Sequence, residues 1–165
     1  MQNYAMFLAV KQAITNLGCP YTEVTYDDMN TKKGNVLAIM VRNGQIPKSR
    51  KLATGEFMRR FCRVQILIQT SSDKASVLAG SSFGTKLEQK MPLIFNTGYL
   101  LDANKIGFDD DGDLSTIKAD IEHPARVWFI RVDPQSDLIS IGKTSQGLAR
   151  YSINFKIEYS IEEVV

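Results

Sequence analysis

The sequence predicts an α+β fold: a mainly antiparallel sheet with two helices packed on one face, and a long basic hairpin arm. Two stretches, near the start and middle of the chain, carry the 3.6-residue apolar period of a helix. The stretch 151–161 alternates strictly between apolar and polar residues, which is typical of a strand with one covered face. With 165 residues, 44% of them hydrophobic and 23% charged, the chain suits one globular domain over 1–165.

The first element is a helix that ends near Gly18. Asn3 can cap its start, while Gly18 followed by Pro20 is a strong stop signal. The apolar residues of this stretch recur on one stripe, as a helix packed on a core requires; they are Tyr4, Phe7, Val10, Ile14 and Leu17.

Two strands joined by a long polar connection follow. The stretch 35–42 is apolar on both faces, which predicts a strand covered on both sides. A neighbouring subunit is one candidate for the cover of the face that lacks helices. The returning strand, 63–69, is expected to point Val64, Ile66 and Ile68 inward, and Arg63, Gln65 and Gln69 outward. Between them, 43–60 predicts an extended hairpin or a mobile loop, and connections this long usually have a function.

A second helix is predicted from the residues after Asp73 to about Met91. The run Ser71-Ser72-Asp73 supplies its cap, and its apolar face is expected to include Ala75, Ala79, Phe83 and Leu87. Gly80 and Gly84 lie inside it, and each costs about 1 kcal/mol relative to alanine. We expect close backbone approach to the first helix to compensate for them.

The rest of the chain predicts an irregular excursion and three more strands. The stretch 92–124 has no clear period and is expected to be a surface excursion. The stretches 126–132 and 138–142 predict a hairpin around 133–137. The final strand should place its odd-numbered residues in the core; these are Tyr151, Ile153, Phe155, Ile157, Tyr159 and Ile161.

The charges are segregated along the chain. Seven basic residues against one acid lie between Arg42 and Arg63, and six acids against two lysines lie between Asp102 and Asp120. This polarity could serve head-to-tail contacts between copies or contact with nucleic acid, although two solvated loops explain it equally well. The interface candidates among these residues are Lys48, Arg50, Lys51, Arg59, Arg60, Asp109, Asp110, Asp111 and Asp113.

One enzymatic motif is present. Residues 80–84 read Gly-Ser-Ser-Phe-Gly, a G-x-S-x-G pattern in which Ser82 would be a nucleophile with His123 downstream as base. The nucleophile elbow needs a buried strand immediately before it, whereas the residues from Asp73 onward open a helix pattern. We therefore interpret the motif as small residues in a tightly packed helix, and we predict no catalytic residue.

Metal and membrane signals are weak. Asp109, Asp111 and Asp113 resemble the start of a calcium loop, but Leu114 stands where that loop needs glycine. Cys19 and Cys62 lack metal or redox spacing and suggest two reduced thiols. No apolar run approaches the length of a membrane span, and the start lacks the basic region of a signal peptide. We expect neither a cofactor, nor a metal, nor a membrane.

The order of elements resembles that of the tail-terminator (minor capsid, tail-completion) proteins of long-tailed bacteriophages. The likeness lies mainly in the passage from an R-V-Q-I-L-I-Q strand through Ser-Ser-Asp-Lys-Ala into a helix, at 63–90, and in the terminal strand at 148–160. The acidic excursion at 92–125 is not part of that pattern.

The resemblance implies a structural virion protein without a chemical step. Its copies would form a ring, expected to be a hexamer, at the head-proximal end of the tail tube. The expected partners are the tail tube protein, the head connector or stopper protein, and double-stranded DNA that passes through the lumen without sequence recognition. The location would be the virion, and the host cytoplasm during assembly. Another head–tail connector or a tail tube protein is the nearest alternative, and a small serine hydrolase using Ser82 is a distant one.

Overall fold

The computed structural model describes residues 2–43, 60–94, 97–101, 106–108, 114–116 and 125–163. These residues form an α+β fold with two α-helices and a mostly antiparallel, curled sheet. The helices are α1 (Gln2–Asn16) and α2 (Lys74–Lys90), and a 3₁₀ turn (Met91–Leu93) follows α2. The strands are β1 (Val24–Tyr26), β2 (Val36–Asn43), β3 (Arg60–Thr70), β4 (Thr97–Leu101), β5 (Ile106–Phe108), β6 (Leu114–Thr116), β7 (Ala125–Pro134), β8 (Ile139–Lys143) and β9 (Ala149–Glu163).

The long strand β9 is the centre of the main sheet. The strand order is β1-β2-β3-β9-β7-β4, and only the short β1 runs parallel to its neighbour β2. One edge of β9 pairs with β3, and its other edge pairs with β8 over the first few residues and with β7 over the rest. β5 and β6 form a separate two-stranded ribbon, and β6 lies beside α1.

The hairpin predicted around 133–137 is wrong. β7 and β8 do not pair with each other; they run in the same direction, one after the other, along the same edge of β9. The Gln135 amide donates to the Asn154 carbonyl at 2.8 Å and so continues this ladder between them. The true turn lies between β8 and β9, where the Thr144 amide donates to the Leu148 carbonyl at 2.8 Å. The turn signals at 133–137 mark an irregularity within one interrupted strand.

The predicted first helix is confirmed, and Gly18 ends it as expected. Gly18 has φ +85°, its amide donates to the Thr15 carbonyl at 3.0 Å, and the Cys19 amide donates to the Ile14 carbonyl at 3.1 Å. This pair of bonds closes a helix C-terminus around a left-handed glycine. At the other end the prediction is wrong, because the helix begins at Gln2 and Asn3 lies inside its first turn.

One apolar core unites the sheet with side chains from both helices. The core includes Val64, Ile66 and Ile68 of β3, as predicted, and the odd-numbered residues of β9 from Ile153 to Tyr159. Tyr151 is only partly buried, and the side chain of Ile161 is outside the described part of the chain. From α1 come Phe7, Val10 and Ile14 of the predicted stripe, together with Ala5, Met6, Ala9 and Ala13.

The second helix is confirmed, but its buried face is not the one expected. The Asp73 carboxylate accepts the Ser76 amide at 3.0 Å and caps the helix. Ala75 and Ala79 are exposed, and the buried positions are Gly80, Phe83, Gly84 and Leu87. A Cβ atom on Gly80 would lie 2.4 Å from Thr70 Cγ2, and one on Gly84 would lie 2.6 Å from Leu138 Cδ1. The glycines therefore allow close approach to β3 and to the segment before β8, and not to α1.

The strand at 36–41 is buried on both faces, as predicted, except at the half-buried Met40, and the cover of its second face comes from the same chain. Val36 and Ala38 on that face are 2% and 0% exposed. Next to Val36, Gln69 donates to the carbonyls of Asn30 and Lys33 at 2.9 and 2.7 Å, so the connection from β1 to β2 folds over this end. Gln69 points away from the core as expected, but it is fully buried.

Two other predicted stretches, 92–124 and 43–60, lie only partly within the described residues. The stretch 92–124 is not wholly irregular, because β4 pairs with β7 at the edge of the main sheet. Most of the basic arm, 44–59, lies outside the described residues. Its flanking strands β2 and β3 are antiparallel neighbours, paired up to Asn43 and Cys62, so this segment joins two adjacent strand ends.

Candidate interaction surface

The predicted interface residues lie almost entirely outside the described part of the chain. Lys48, Arg50, Lys51 and Arg59 belong to the segment 44–59, and Asp109, Asp110, Asp111 and Asp113 belong to the segment that joins β5 to β6. Arg60 is the first residue of β3. His123 and Asp120 are also outside the described residues.

Three cations lie side by side on the face of the sheet that points away from the core. We call this face, which carries the even-numbered residues of β9, the polar face. Arg42 of β2 is the register partner of Arg63 of β3, and Arg63 is the register partner of Lys156 of β9. Side chains of such partners project to the same side of a sheet, and like charges placed directly opposite one another are destabilising. We call these three residues the cation row.

Partial compensation exists at the two ends of the row. The Arg42 guanidinium pairs with the Asp27 carboxylate. Lys156 Nζ lies 4.4 Å from the centre of the Phe61 ring, a cation–π contact. Asp133, the register partner of Lys156 on β7, already accepts a hydrogen bond from Arg131 Nε at 2.8 Å.

The middle member of the row has no such compensation. Arg63 is exposed and makes no ion pair or hydrogen bond with any described residue. Its two cross-strand neighbours carry the same charge as it does. The row therefore presents a guanidinium whose hydrogen-bonding capacity is open to a partner outside the described fold.

Elsewhere the polar face carries both neutral and charged side chains, and Arg150 at its other end donates from Nε to Gln69 Oε1 at 2.7 Å. Gln65 Nε2 donates to Ser152 Oγ at 2.9 Å, and Asn154 Nδ2 lies 3.2 Å from Ser136 Oγ. The cation row lies toward the end where β2 and β3 join the basic segment 44–59. Arg42 and Arg63 belong to the basic region visible in the sequence, whereas Lys156 lies 93 positions further along the chain than Arg63 and carries no sequence signal that links it to them. Only the register of β3 with β9 brings them together.

The strand β8 is a second exposed feature. All of its residues are exposed, including Ile139 at 48% and Ile141 at 54%. Among the described strands it pairs only with β9, so its other edge is unpaired. Unpaired strand edges with exposed apolar side chains are templates for pairing with another chain.

Ser82 is not placed as a nucleophile elbow requires. It lies in the middle of α2, eight positions after the helix begins at Lys74, and it is exposed. An elbow serine occupies the turn between a strand and a helix. In this fold that turn is at 71–73, where the Asp73 cap is found.

Burial favours the neutral forms of both thiols and of the Tyr21 phenol. Burial raises the pKa of Tyr21 to about 12, with the neighbouring Cys19 and Tyr151 as smaller causes. Burial also raises the pKa of the Cys62 thiol strongly, and that of Cys19. Because the thiolate is the nucleophilic form, neither cysteine is set up for nucleophilic chemistry at neutral pH. Both are free thiols.

Metal and membrane features are absent from the part of the chain that the structure describes. It contains no cluster of three or more His, Cys, Asp or Glu residues able to hold a metal ion. Neither α1 nor α2 is long and apolar enough to cross a membrane. In comparisons with known proteins, no family model matches the chain, and no curated protein is significantly similar to it.

Proposed function

We propose that this protein is a structural subunit of a bacteriophage tail, of the tail-terminator kind. The observation that carries the proposal is the passage from β3 through the Asp73 cap into α2, together with the long terminal strand β9. These are the two regions in which the sequence resembles that family. The proposal includes a single domain over 1–165, both helices packed on the core face of the sheet, and a basic arm at 44–59.

In this proposal the protein acts by assembly and has no chemical step. Copies form a ring, with a hexamer expected, that caps the head-proximal end of the tail tube and joins it to the head connector or stopper. Double-stranded DNA passes through the lumen without sequence recognition. The protein is then part of the virion, and it is found in the host cytoplasm before assembly.

Two dissimilar surfaces support an assembly of this kind. The cation row lies on the polar face, across β2, β3 and β9, whereas the apolar edge lies on β8. A ring requires heterologous contacts, in which one patch of a subunit meets a different patch of the next. A subunit with two different unsatisfied surfaces meets this requirement better than one with a single self-complementary patch.

Negative-stain electron microscopy of the purified protein, with light scattering for its mass, tests the proposal. We expect closed rings of uniform diameter. Long tubes would favour the alternative of a tail tube protein. A monomer at all accessible concentrations would contradict both readings.

The enzymatic alternative, a serine hydrolase using Ser82, has a direct test. We expect a fluorophosphonate probe to leave the protein unlabelled, because Ser82 lies in mid-helix and not at an elbow. We also expect Ser82→Ala to have the stability and the assembly of the wild type. Stoichiometric labelling that the alanine variant abolishes would contradict the structural role.

A further inference from the structure

We propose that two copies of this protein pair edge to edge through β8, about a two-fold axis that passes between their Ser140 residues. The β8 edge is the side of Ile139–Lys143 that faces away from β9. Its occupant is the same edge of a second copy, joined to it as an antiparallel ladder. This inference goes beyond the proposed function, because a two-fold contact joins copies in pairs, whereas a ring needs contacts of another kind.

The first argument is that the β8 edge is open. β8 pairs with β9 on its inner side, and no other described strand pairs with it. β4 does not cover it, because β4 pairs with the far end of β7, at 125–129. All five residues of β8 are exposed, including Ile139 and Ile141. A strand edge with open backbone groups and exposed apolar side chains is a template for an added strand.

The second argument is that the sequence around β8 is complementary to itself in one antiparallel register. With Ser140 opposite Ser140 of the second copy, each Ile139 faces an Ile141. In the same register the exposed Asp137, just before β8, faces the exposed Lys143 at its end. Apolar pairs and pairs of opposite charge stabilise antiparallel strands when they lie directly opposite each other. Because the contact is two-fold, each of these pairs occurs twice.

Neighbouring registers lack this match. A ladder centred on Ile141 places Ile139 opposite Lys143, and one centred on Ile139 places Asp137 opposite Ile141. Of the three registers, only the one centred on Ser140 sets apolar against apolar and acid against base. The bulge in the ladder between β8 and β9 increases the twist of β8. Both copies carry the same twist, so their edges still match across a two-fold axis.

Disulfide trapping tests the contact at its axis. The two Ser140 α-carbons would lie within the roughly 4.4–6.8 Å that a disulfide spans, so Ser140→Cys should crosslink to its counterpart under mild oxidation. The matched control is Ser145→Cys, which is also exposed but lies far from the axis in this register. The native thiols Cys19 and Cys62 are present in both variants. We expect Ser140→Cys to give at least about tenfold more crosslinked pair than Ser145→Cys.

Charge exchange tests the register. Asp137→Lys and Lys143→Asp each set like charges opposite one another twice, so each should pair at least about tenfold more weakly than the wild type. An equimolar mixture of the two variants restores acid opposite base, as does one chain that carries both substitutions, so both should pair as well as the wild type. The matched control is Lys74→Asp, at an exposed position of α2, which should leave pairing unaffected. Sedimentation velocity over a concentration series measures these effects.

The apolar part of the contact has a variant of its own. Ile139→Lys with Ile141→Lys should stay folded and no longer pair, since both side chains are exposed and lysine on an edge strand opposes pairing. Thermal melts check that the fold is kept.

The outcomes separate this inference from the proposed function. Equal crosslinking of Ser140→Cys and Ser145→Cys would overturn the inference, as would pairing that neither charge exchange weakens. Closed rings without the crosslink at position 140 would overturn it and leave the proposed function standing. Crosslinked pairs without rings would support the inference and contradict the ring. A monomeric wild type would overturn both.

Discussion

Gly80 and Gly84 set how closely α2 approaches the rest of the fold. Thr70 is a buried, β-branched residue on β3, and its Cγ2 atom occupies the space that a side chain at position 80 would need. Beside Gly84, the space that a side chain would need is occupied by the terminal methyl groups of Leu138, which is only partly buried. The two glycines occupy similar positions in the sequence, but the Leu138 side chain can move aside more easily than the stiff Thr70 side chain.

Alanine at these two positions should therefore have unequal effects. We expect Gly80→Ala to lower the free energy of unfolding by about 1–3 kcal/mol, because overpacking against a stiff threonine outweighs the gain in helix propensity. Gly84→Ala should stay within about 1 kcal/mol of the wild type, since the Leu138 side chain can move aside. Urea denaturation of both variants measures this. An unchanged or higher stability of Gly80→Ala would show that a methyl group fits between α2 and Thr70 of β3.

The cap of α2 should make stability depend on pH. Hydrogen bonds from Ser76 lower the pKa of the Asp73 carboxyl. A group whose pKa is lower in the folded state stabilises the fold above its ordinary pKa and loses that contribution as pH falls through the folded value. We expect the wild type to lose stability in acid relative to Asp73→Asn, whose neutral amide caps at every pH. Thermal melts across the acid range measure the difference, and a constant difference would mean that the cap is not formed.

At the scale of elements, β9 organises the sheet. It has 15 residues and pairs with three strands: β3 on one edge, and β8 and then β7 on the other. Its odd-numbered residues from 153 to 159 lie in the core, whereas Asn154, Lys156 and Glu158 on the polar face are half-buried.

Adjacent residues of β9 should then differ sharply in their effect on stability. Phe155 is 0% exposed, and Phe155→Ala should cost about 3–5 kcal/mol, the usual penalty for emptying an aromatic core site. Lys156→Ala should cost less than about 1 kcal/mol, because loss of the contact with Phe61 is offset by relief of repulsion from Arg63. Denaturant melts decide this, and equal destabilisation would mean that the faces of the strand are wrongly assigned.

For the molecule as a whole, the arrangement of charge matters more than the net charge of +2. The chain enters the basic segment 44–59 from β2 and leaves it into β3, the two strands that carry Arg42 and Arg63. Two of the three members of the cation row, Arg42 and Arg63, therefore flank the basic segment along the chain. Under the proposed function, we expect the segment 44–59 to take part in assembly together with these residues.

Charge reversal in that segment should impair assembly and spare folding. We expect Lys48→Glu, Arg50→Glu and Lys51→Glu together to leave the monomer as stable as the wild type while weakening ring formation or attachment to tails. The equivalent change at Lys11, Lys32 and Lys74, all exposed, is the control. Size-exclusion profiles with thermal melts measure both effects. Normal rings and normal tail attachment in the triple variant would remove the segment from the mechanism.

The sequence by itself determined the features that depend on local chemistry. Gly18 ends α1 because only a residue at ease with positive φ fits there, and Asp73 begins α2 because its carboxylate reaches the Ser76 amide. Alternation assigned the core faces of β3 and β9 correctly, because successive side chains of a strand point to opposite sides. None of these features requires knowledge of a distant part of the chain.

Only the tertiary structure decided which elements meet. The turn signals at 133–137 suggested a hairpin, but pairing to β9 made β7 and β8 one interrupted strand. Gln69, a polar residue expected to be exposed, is buried because the connection from β1 to β2 supplies its hydrogen-bond acceptors. The cation row exists because strand register aligns Arg63 with Lys156. Register between distant strands is set by how their faces pack in the common core, and that is a property of the whole fold.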